Sequence, residues 1–195
     1  MSERIKAALV GIIGMLVYVI VFILLRIGLQ YLPELTMWGN YASLFNIDSI
    51  PISYLDLIYF LLGMVITVHG AVNLYLITLE NHQGQNMESR KPQTLLKTGV
   101  YAKARHPMYG TFMIINLGLF ISTRSLWGIL VIVFFFTIQY FNAIFEEKHE
   151  LIEIFGDEYR DYQKEVENKF FLPAYRVYLW IGVVLTVGGI FFIFL

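Results

Sequence analysis

The sequence predicts an all-α integral membrane protein with five transmembrane helices and a cytoplasmic N-terminus, and three observations predict it. Hydrophobic residues make up 57% of the 195 residues and charged residues only 15%, at a mean hydropathy of +0.63, whereas soluble domains carry about 25% charge. Apolar runs occur at 7–31, 54–79, 108–123, 126–145 and 177–195, near the ~20 residues that cross a ~30 Å hydrocarbon core. Five crossings also sort the basic residues. Arg4, Lys6, Arg90, Lys91, Lys97, Lys103, Arg105, Lys148, Arg160, Lys164, Lys169 and Arg176 share one face, leaving Arg124 opposite and Arg26 inside a span. The positive-inside bias makes the rich face cytoplasmic. The apolar surplus exceeds what one small core can bury, so residues 1–195 read as a single membrane domain in lipid.

The first run follows Arg4 and Lys6, is too long for a signal-peptide core and has no small-x-small cleavage site, so it reads as a retained anchor and first helix. The 32–53 loop carries the turn formers Pro33, Gly39, Asn40, Asn46 and Pro51, with Trp38, Tyr41 and Phe45 suited to an interface. The second run holds Asp56 near its outer end, and His69 and Asn73 one turn apart. All three read as structural, the last two as interhelical glue. The third and fourth runs are separated only by Thr123, Arg124 and Ser125, a helical hairpin. Residues 108–121 rise only about 21 Å as helix, which sets Arg105 and His106 at or below headgroup level. In the last run Gly182, Thr186, Gly188 and Gly189 permit close helix approach, within the monomer or between copies.

Polar chemistry is confined to two cytoplasmic segments. In the first, Pro107 suits the first turn of the third helix, and the free N–H groups there converge with Arg105 and His106 on one spot. Two readings fit equally: a site for a carboxylate or phosphate, or positive-inside residues with His106 as a helix cap. In the second segment Leu151, Phe155, Tyr159, Tyr162 and Val166 recur at helical spacing, an amphipathic stretch lying on the bilayer or packing under the first segment. Glu146 and Glu147 suit an ammonium partner. Glu150, Glu153, Asp157, Glu158 and Asp161 read as a solvated acidic helix end. Glu146-x-x-His149 has the spacing of half a di-iron site, but a second such pair is missing and only 4 histidines exist, so no metal site is expected. The chain has no cysteine and a net charge of −1, giving no support for thiol chemistry or nucleic-acid binding. Dinucleotide, P-loop and Gly-x-Ser-x-Gly motifs are also missing.

Taken together, Gln93-Thr94-Leu95-Leu96, Thr98-Gly99-Val100-Tyr101, Arg105-His106-Pro107-Met108-Tyr109-Gly110, then Glu146-Glu147, Leu151, Phe155-Gly156, Glu158-Tyr159, Tyr162 and Val166 resemble a known family. It is the isoprenylcysteine carboxyl methyltransferases, in their compact prokaryotic form, and more loosely the phospholipid methyltransferases. The resemblance covers 93–173. It implies an S-adenosylmethionine pocket built from segments 93–110 and 142–173, and a lipophilic acceptor delivered from the bilayer. By the same resemblance Gln93, Thr94, Leu95, Leu96, Tyr101, His106, Pro107, Met108 and Tyr109 touch the cofactor, Glu147 meets its amino group or ribose, and Arg105 and Glu147 are the catalytic pair. Glu146 is a second neighbour. Two departures from the family pattern stand out: Asn142 and Ala143 occupy the stretch where an arginine steers the acceptor carboxylate, and Glu165 stands where a basic residue is common. Arg105 and Arg176 are the candidates to replace that arginine. The implied location is the cell membrane of a prokaryote or the endoplasmic reticulum of a eukaryote.

Two other readings compete. Membrane sterol and steroid reductases have similar C-terminal halves, but a nicotinamide dinucleotide phosphate calls for a larger cationic cluster than His106, Arg105 and Lys97. A non-enzymatic membrane scaffold would leave both polar segments as solvated ends.

Overall fold

In the computed structural model, residues 2–33, 35–38, 43–47, 50–84 and 92–193 are described. Gly39, Asn40, Tyr41, Arg90 and Lys91, to which the sequence assigned turn, interface or charge roles, lie outside them. Four helices are long and apolar enough to cross a membrane, over Arg4–Leu29, Tyr54–Asn81, Leu126–Phe155 and Pro173–Phe191. They correspond to four of the expected spans and fit a multi-pass membrane protein. The expected third span is shorter, at 15 residues.

Helix α1 (Glu3–Leu29) starts on a Ser2 cap whose hydroxyl accepts from Ile5 N at 3.4 Å. A short antiparallel ribbon, β1 (Phe45–Ile47) with β2 (Ile50–Ile52), follows. The all-α class thus gains one hairpin, and Pro51, read as a turn former, sits in β2 opposite Asn46. A two-stranded edge tolerates a residue with no N–H. Helix α2 (Tyr54–Asn81) opens on a capping box: Ser53 N donates to Asp56 Oδ2 at 2.8 Å, and Asp56 N to Ser53 Oγ at 3.3 Å.

Helix α3 (Pro107–Ile121) is the centre of the bundle, with Pro107 at its first turn as the sequence predicts. It is held against α2 by backbone-to-backbone approach at residues lacking bulk. A Cβ on Gly118 would meet the Gly63 carbonyl oxygen at 2.7 Å, and one on Gly70 would meet Ile115 at 2.7 Å. Ile66, Ile114, Leu117, Leu172 and Tyr175 fill the core around that crossing. Helix α4 (Leu126–Glu146) does not stop where its apolar run ends. It passes through a π-helical turn, Glu147–Leu151, into α5 (Ile152–Phe155), and Gly156 at φ +57° then breaks the rod. A short α6 (Asp157–Glu165) and the last helix, α7 (Pro173–Ile193), complete the chain. Large apolar side chains on α1, α4 and α7 face outward, Leu16, Phe134 and Val184 each at 63% exposure. Such faces need lipid.

The polar residues inside the bundle join helices. His69 on α2 shares hydrogen bonds with Asn73 (3.0 Å) and, across to α7, with Tyr178 Oη (2.8 Å). Gly182, Gly188 and Gly189 on α7 make their close approaches within the monomer, to Leu117, Trp38 and Met37. At the α3–α4 turn Arg124, φ +54° and 1% exposed, points inward. Its Nη1 lies 3.1 Å from Asp56 Oδ1 and donates to Ser53 Oγ, while Nη2 donates to the Met37 carbonyl at 2.8 Å. Arg26 Nη1 reaches the same Asp56 oxygen at 3.8 Å. This buried cluster locks one end of the bundle, opposite the two polar segments.

Candidate active site

At the other end, the polar stretch 92–106 and the stretch after α4 are sewn together by main-chain bonds. The strap 166–171 lies alongside 103–106: Arg105 N donates to the Asn168 carbonyl (3.0 Å), His106 N to the Lys169 carbonyl (2.7 Å), and Asn168 Nδ2 to the Lys103 carbonyl (2.7 Å). Helix α6 packs beneath, as one of the two sequence readings expects. Tyr159 and Tyr162 are 1% and 2% exposed, Tyr162 Oη donates to the Tyr101 carbonyl at 2.7 Å, and Lys97 meets Glu158 at 2.8 Å. The strap lies so close to α3 that a Cβ on Gly110 would collide with the Phe170 carbonyl oxygen. Gly110→Ala therefore pushes backbone against backbone, an overpacking cost of about 1–3 kcal/mol. We expect a lower unfolding temperature in detergent; an unchanged one would mean the strap is free to move.

Between these segments is a cavity of about 300 Å³, the lower end of the range for ligand pockets. One wall is Thr94, Leu95, Leu96 and Tyr101, another Arg105, His106, Pro107, Met108 and Tyr109, and a third Glu146, Glu150, Leu151, Phe155, Tyr159 and Tyr162. Of the residues expected to hold the cofactor, all line it except Gln93 and Glu147. Gln93 fixes the wall through its backbone, donating to the Gly84 carbonyl at 2.8 Å. Arg176 is exposed and outside the lining.

Glu147 lies behind the wall, 6% exposed. Its Oε1 accepts from Arg105 Nε (2.9 Å) and Tyr159 Oη (3.2 Å) and is 3.0 Å from His106 Nε2, while Oε2 accepts from Lys169 Nζ (2.9 Å). A carboxylate so surrounded is held ionised and fixes its partners in return. Arg105 Nη1 also donates to the Val166 and Glu167 carbonyls, at 2.6 and 3.1 Å. Nε and Nη1 are thus engaged, and Arg105 also lines the cavity. His106 Nδ1 lies 3.4 Å from Glu146 Oε2. Burial disfavours the imidazolium, but hydrogen bonds and charge from Glu146 and Glu147 outweigh it and raise the His106 pKa. Burial also pushes Tyr162 up to about 12, with Arg105 opposing and Glu147 adding. The Tyr162 hydroxyl is thus a neutral donor at physiological pH.

The sequence placed Glu150 on a solvated end and read Leu151, Phe155, Tyr159 and Tyr162 as an amphipathic face. The structure brings all five to the cavity. A four-residue step from Glu146 to Glu150 and the aromatic stripe were the available signals. Among the described residues no group of His, Asp and Glu is arranged to hold a metal ion.

The cavity thus offers two carboxylates on one side, a guanidinium and an imidazole on another, and aromatic and aliphatic surface between. A family model described as phospholipid methyltransferase matches residues 55–158. No curated protein and no solved structure matches the chain.

Proposed function

The chain belongs to the phospholipid methyltransferase family, and on that premise we propose that it is an integral-membrane, S-adenosylmethionine-dependent methyltransferase. Its acceptor is lipophilic, the carboxylate of an isoprenylcysteine-like molecule, which it converts to a methyl ester. The observation that carries this reading is the mixed wall of the cavity. S-adenosylmethionine combines an ammonium, a carboxylate, a sulfonium and an adenosine. Glu146 and Glu150 suit the cationic groups, Arg105 and His106 the carboxylate, and Tyr101, Tyr109, Phe155 and the Leu95–Leu96 pair the adenosine. When bound, the cofactor supplies a methyl group activated by a sulfonium.

Roles for this chain's residues follow. Thr94, Leu95, Leu96, Tyr101, His106, Pro107, Met108 and Tyr109 form the binding surface, with Gln93 shaping it through the backbone. Arg105 faces the ligand. Glu147, which does not line the cavity, is a positioning residue that holds Arg105 and His106 in place. An ionised carboxylate acceptor needs no general base, so the protein's work is alignment and exclusion of water. In the membrane α3 is the third of five spans, its short length drawing the Arg105–His106 end below headgroup level. The N-terminus and both polar segments face the cytoplasm of a cell-membrane protein, so a soluble cofactor and a lipid-borne acceptor reach the site from different phases.

The test is calorimetric titration of the purified protein in mild detergent with S-adenosylhomocysteine, which needs no knowledge of the acceptor. Saturable one-to-one binding is expected, weakened about tenfold or more in Glu146→Gln, since a lost charged hydrogen bond costs about 1.5–3 kcal/mol. No binding by folded protein, or binding of NADPH instead, would overturn the reading.

A further inference from the structure

Glu147 stands between two cations that face different ways. Arg105 lines the cavity, whereas Lys169 does not. The Lys169 side chain is 22% exposed, with Nζ 2.9 Å from Glu147 Oε2 and 5.7 Å from the centre of the Tyr140 ring. Tyr140 and its neighbour Phe141 are 48% and 62% exposed on α4, a surface that faces lipid in a membrane. Lys169 is therefore a cation on the bilayer side of the site. An ammonium has three donors, and among the described residues Glu147 and the Tyr140 ring are the partners of this one. Arg105 and Lys169 bring two positive charges to the one carboxylate of Glu147, so the three side chains together keep a positive excess.

The position of Lys169 is built, not incidental. Its carbonyl accepts from His106 N, so its main chain is registered to the cavity wall. The next residue, Phe170, packs with Met113 against Ala143, which is fully buried. A long side chain at 143 would displace Phe170 and lift the strap.

We propose that Lys169 is the residue that recognises the acceptor: its ammonium binds the anionic head of a lipophilic molecule while the molecule's apolar chain lies along the exposed aromatic face of α4. The head is a single anion, a carboxylate or a phosphate ester. This rests on the methyltransferase reading for its role in turnover, but recognition itself is measurable without turnover.

The experiment measures binding to the full chain in nanodiscs of three probes that share a farnesyl stem: N-acetyl-S-farnesyl-L-cysteine, its neutral carboxamide, and farnesyl phosphate. The wild-type protein should prefer an anion over the carboxamide by about tenfold or more. Lys169→Gln should bring that ratio near one with carboxamide affinity unchanged, and Lys169→Arg should retain it. Because each ratio is taken within one preparation, partial destabilisation does not mimic the effect. Collapse confined to farnesyl phosphate would support Lys169 and move the acceptor to phosphate-headed lipids. A ratio that survives Lys169→Gln, or a wild-type protein indifferent to charge, would overturn the proposal. S-adenosylhomocysteine titrated in parallel reports on the other site: collapse of the ratio without cofactor binding would keep Lys169 as an anion site and remove the methyltransferase reading.

Discussion

Glu147→Ala should be the most damaging single change at the cavity end, lowering stability and abolishing S-adenosylhomocysteine binding together. Its carboxylate is 7% exposed and is met by Arg105, Lys169, His106 and Tyr159 at 2.9–3.2 Å. Deleting it leaves a nearly buried guanidinium (10% exposed) and the Lys169 ammonium facing one another with no counter-charge. Breaking a buried pair from one side typically costs about 3–5 kcal/mol; the 22% exposure of Lys169 admits solvent and puts the expectation at the low end of that range. Binding fails for a different reason: Arg105 and His106 lose the group that aims them. Glu147→Gln, which keeps an acceptor but not the charge, should fall between. Glu146→Gln is the informative comparison. Glu146 is 31% exposed and lines the cavity, so its loss should weaken ligand binding with little change in unfolding temperature. Thermal unfolding and calorimetry on the three variants separate positioning from contact. Equal thermal losses for Glu146→Gln and Glu147→Ala would sink the distinction.

That distinction is where sequence reasoning reached its limit. The Glu146-Glu147 pair is legible, because two carboxylates at an apolar helix end demand partners. Which of them faces the cavity is not. The π-turn over 147–151, closed by Ile152 N–H on the Glu147 carbonyl, widens the helix and changes its angular step. Glu146, Glu150 and Leu151 turn to the cavity and Glu147 to the strap. A periodicity read at 3.6 residues per turn carries no sign of this. The strap is hidden for a related reason: its order comes from bonds such as His106 N to the Lys169 carbonyl, between residues far apart in sequence, and it has no local pattern. Features with a local cause were visible, among them Pro107 opening α3, the Thr123–Ser125 hairpin turn and the small residues of α7. Gly110 appears in the motif, but its reason, contact with Phe170 backbone, is tertiary.

At the opposite end Asp56→Ala should cost as much stability and leave ligand binding alone. Asp56 is 6% exposed; Oδ1 faces Arg124 at 3.1 Å and Arg26 at 3.8 Å, and Oδ2 accepts from Ser53 N and Oγ at 2.8 and 2.6 Å. The substitution removes the carboxylate half of the α2 capping box, the bonds that Ser53 N and Oγ donate to Asp56 Oδ2, worth about 1 kcal/mol, and the counter-charge of Arg124, which is 1% exposed, worth about 3–5 kcal/mol. For a chain of this size that is a fall of roughly 10 °C in unfolding temperature. The cavity residue Asn81 lies about 37 Å away along α2, so S-adenosylhomocysteine affinity measured below the transition should match wild type. Pairing Asp56→Leu with Arg124→Met gives the sharper test. Replacing both members of a buried ion pair with apolar groups is often close to neutral, so the double variant should be more stable than Asp56→Ala. If it is instead less stable, the remaining Arg26 or the bonds of Arg124 to Met37 and Ser53 carry this end of the bundle, and the Asp56–Arg124 pair is not its main support.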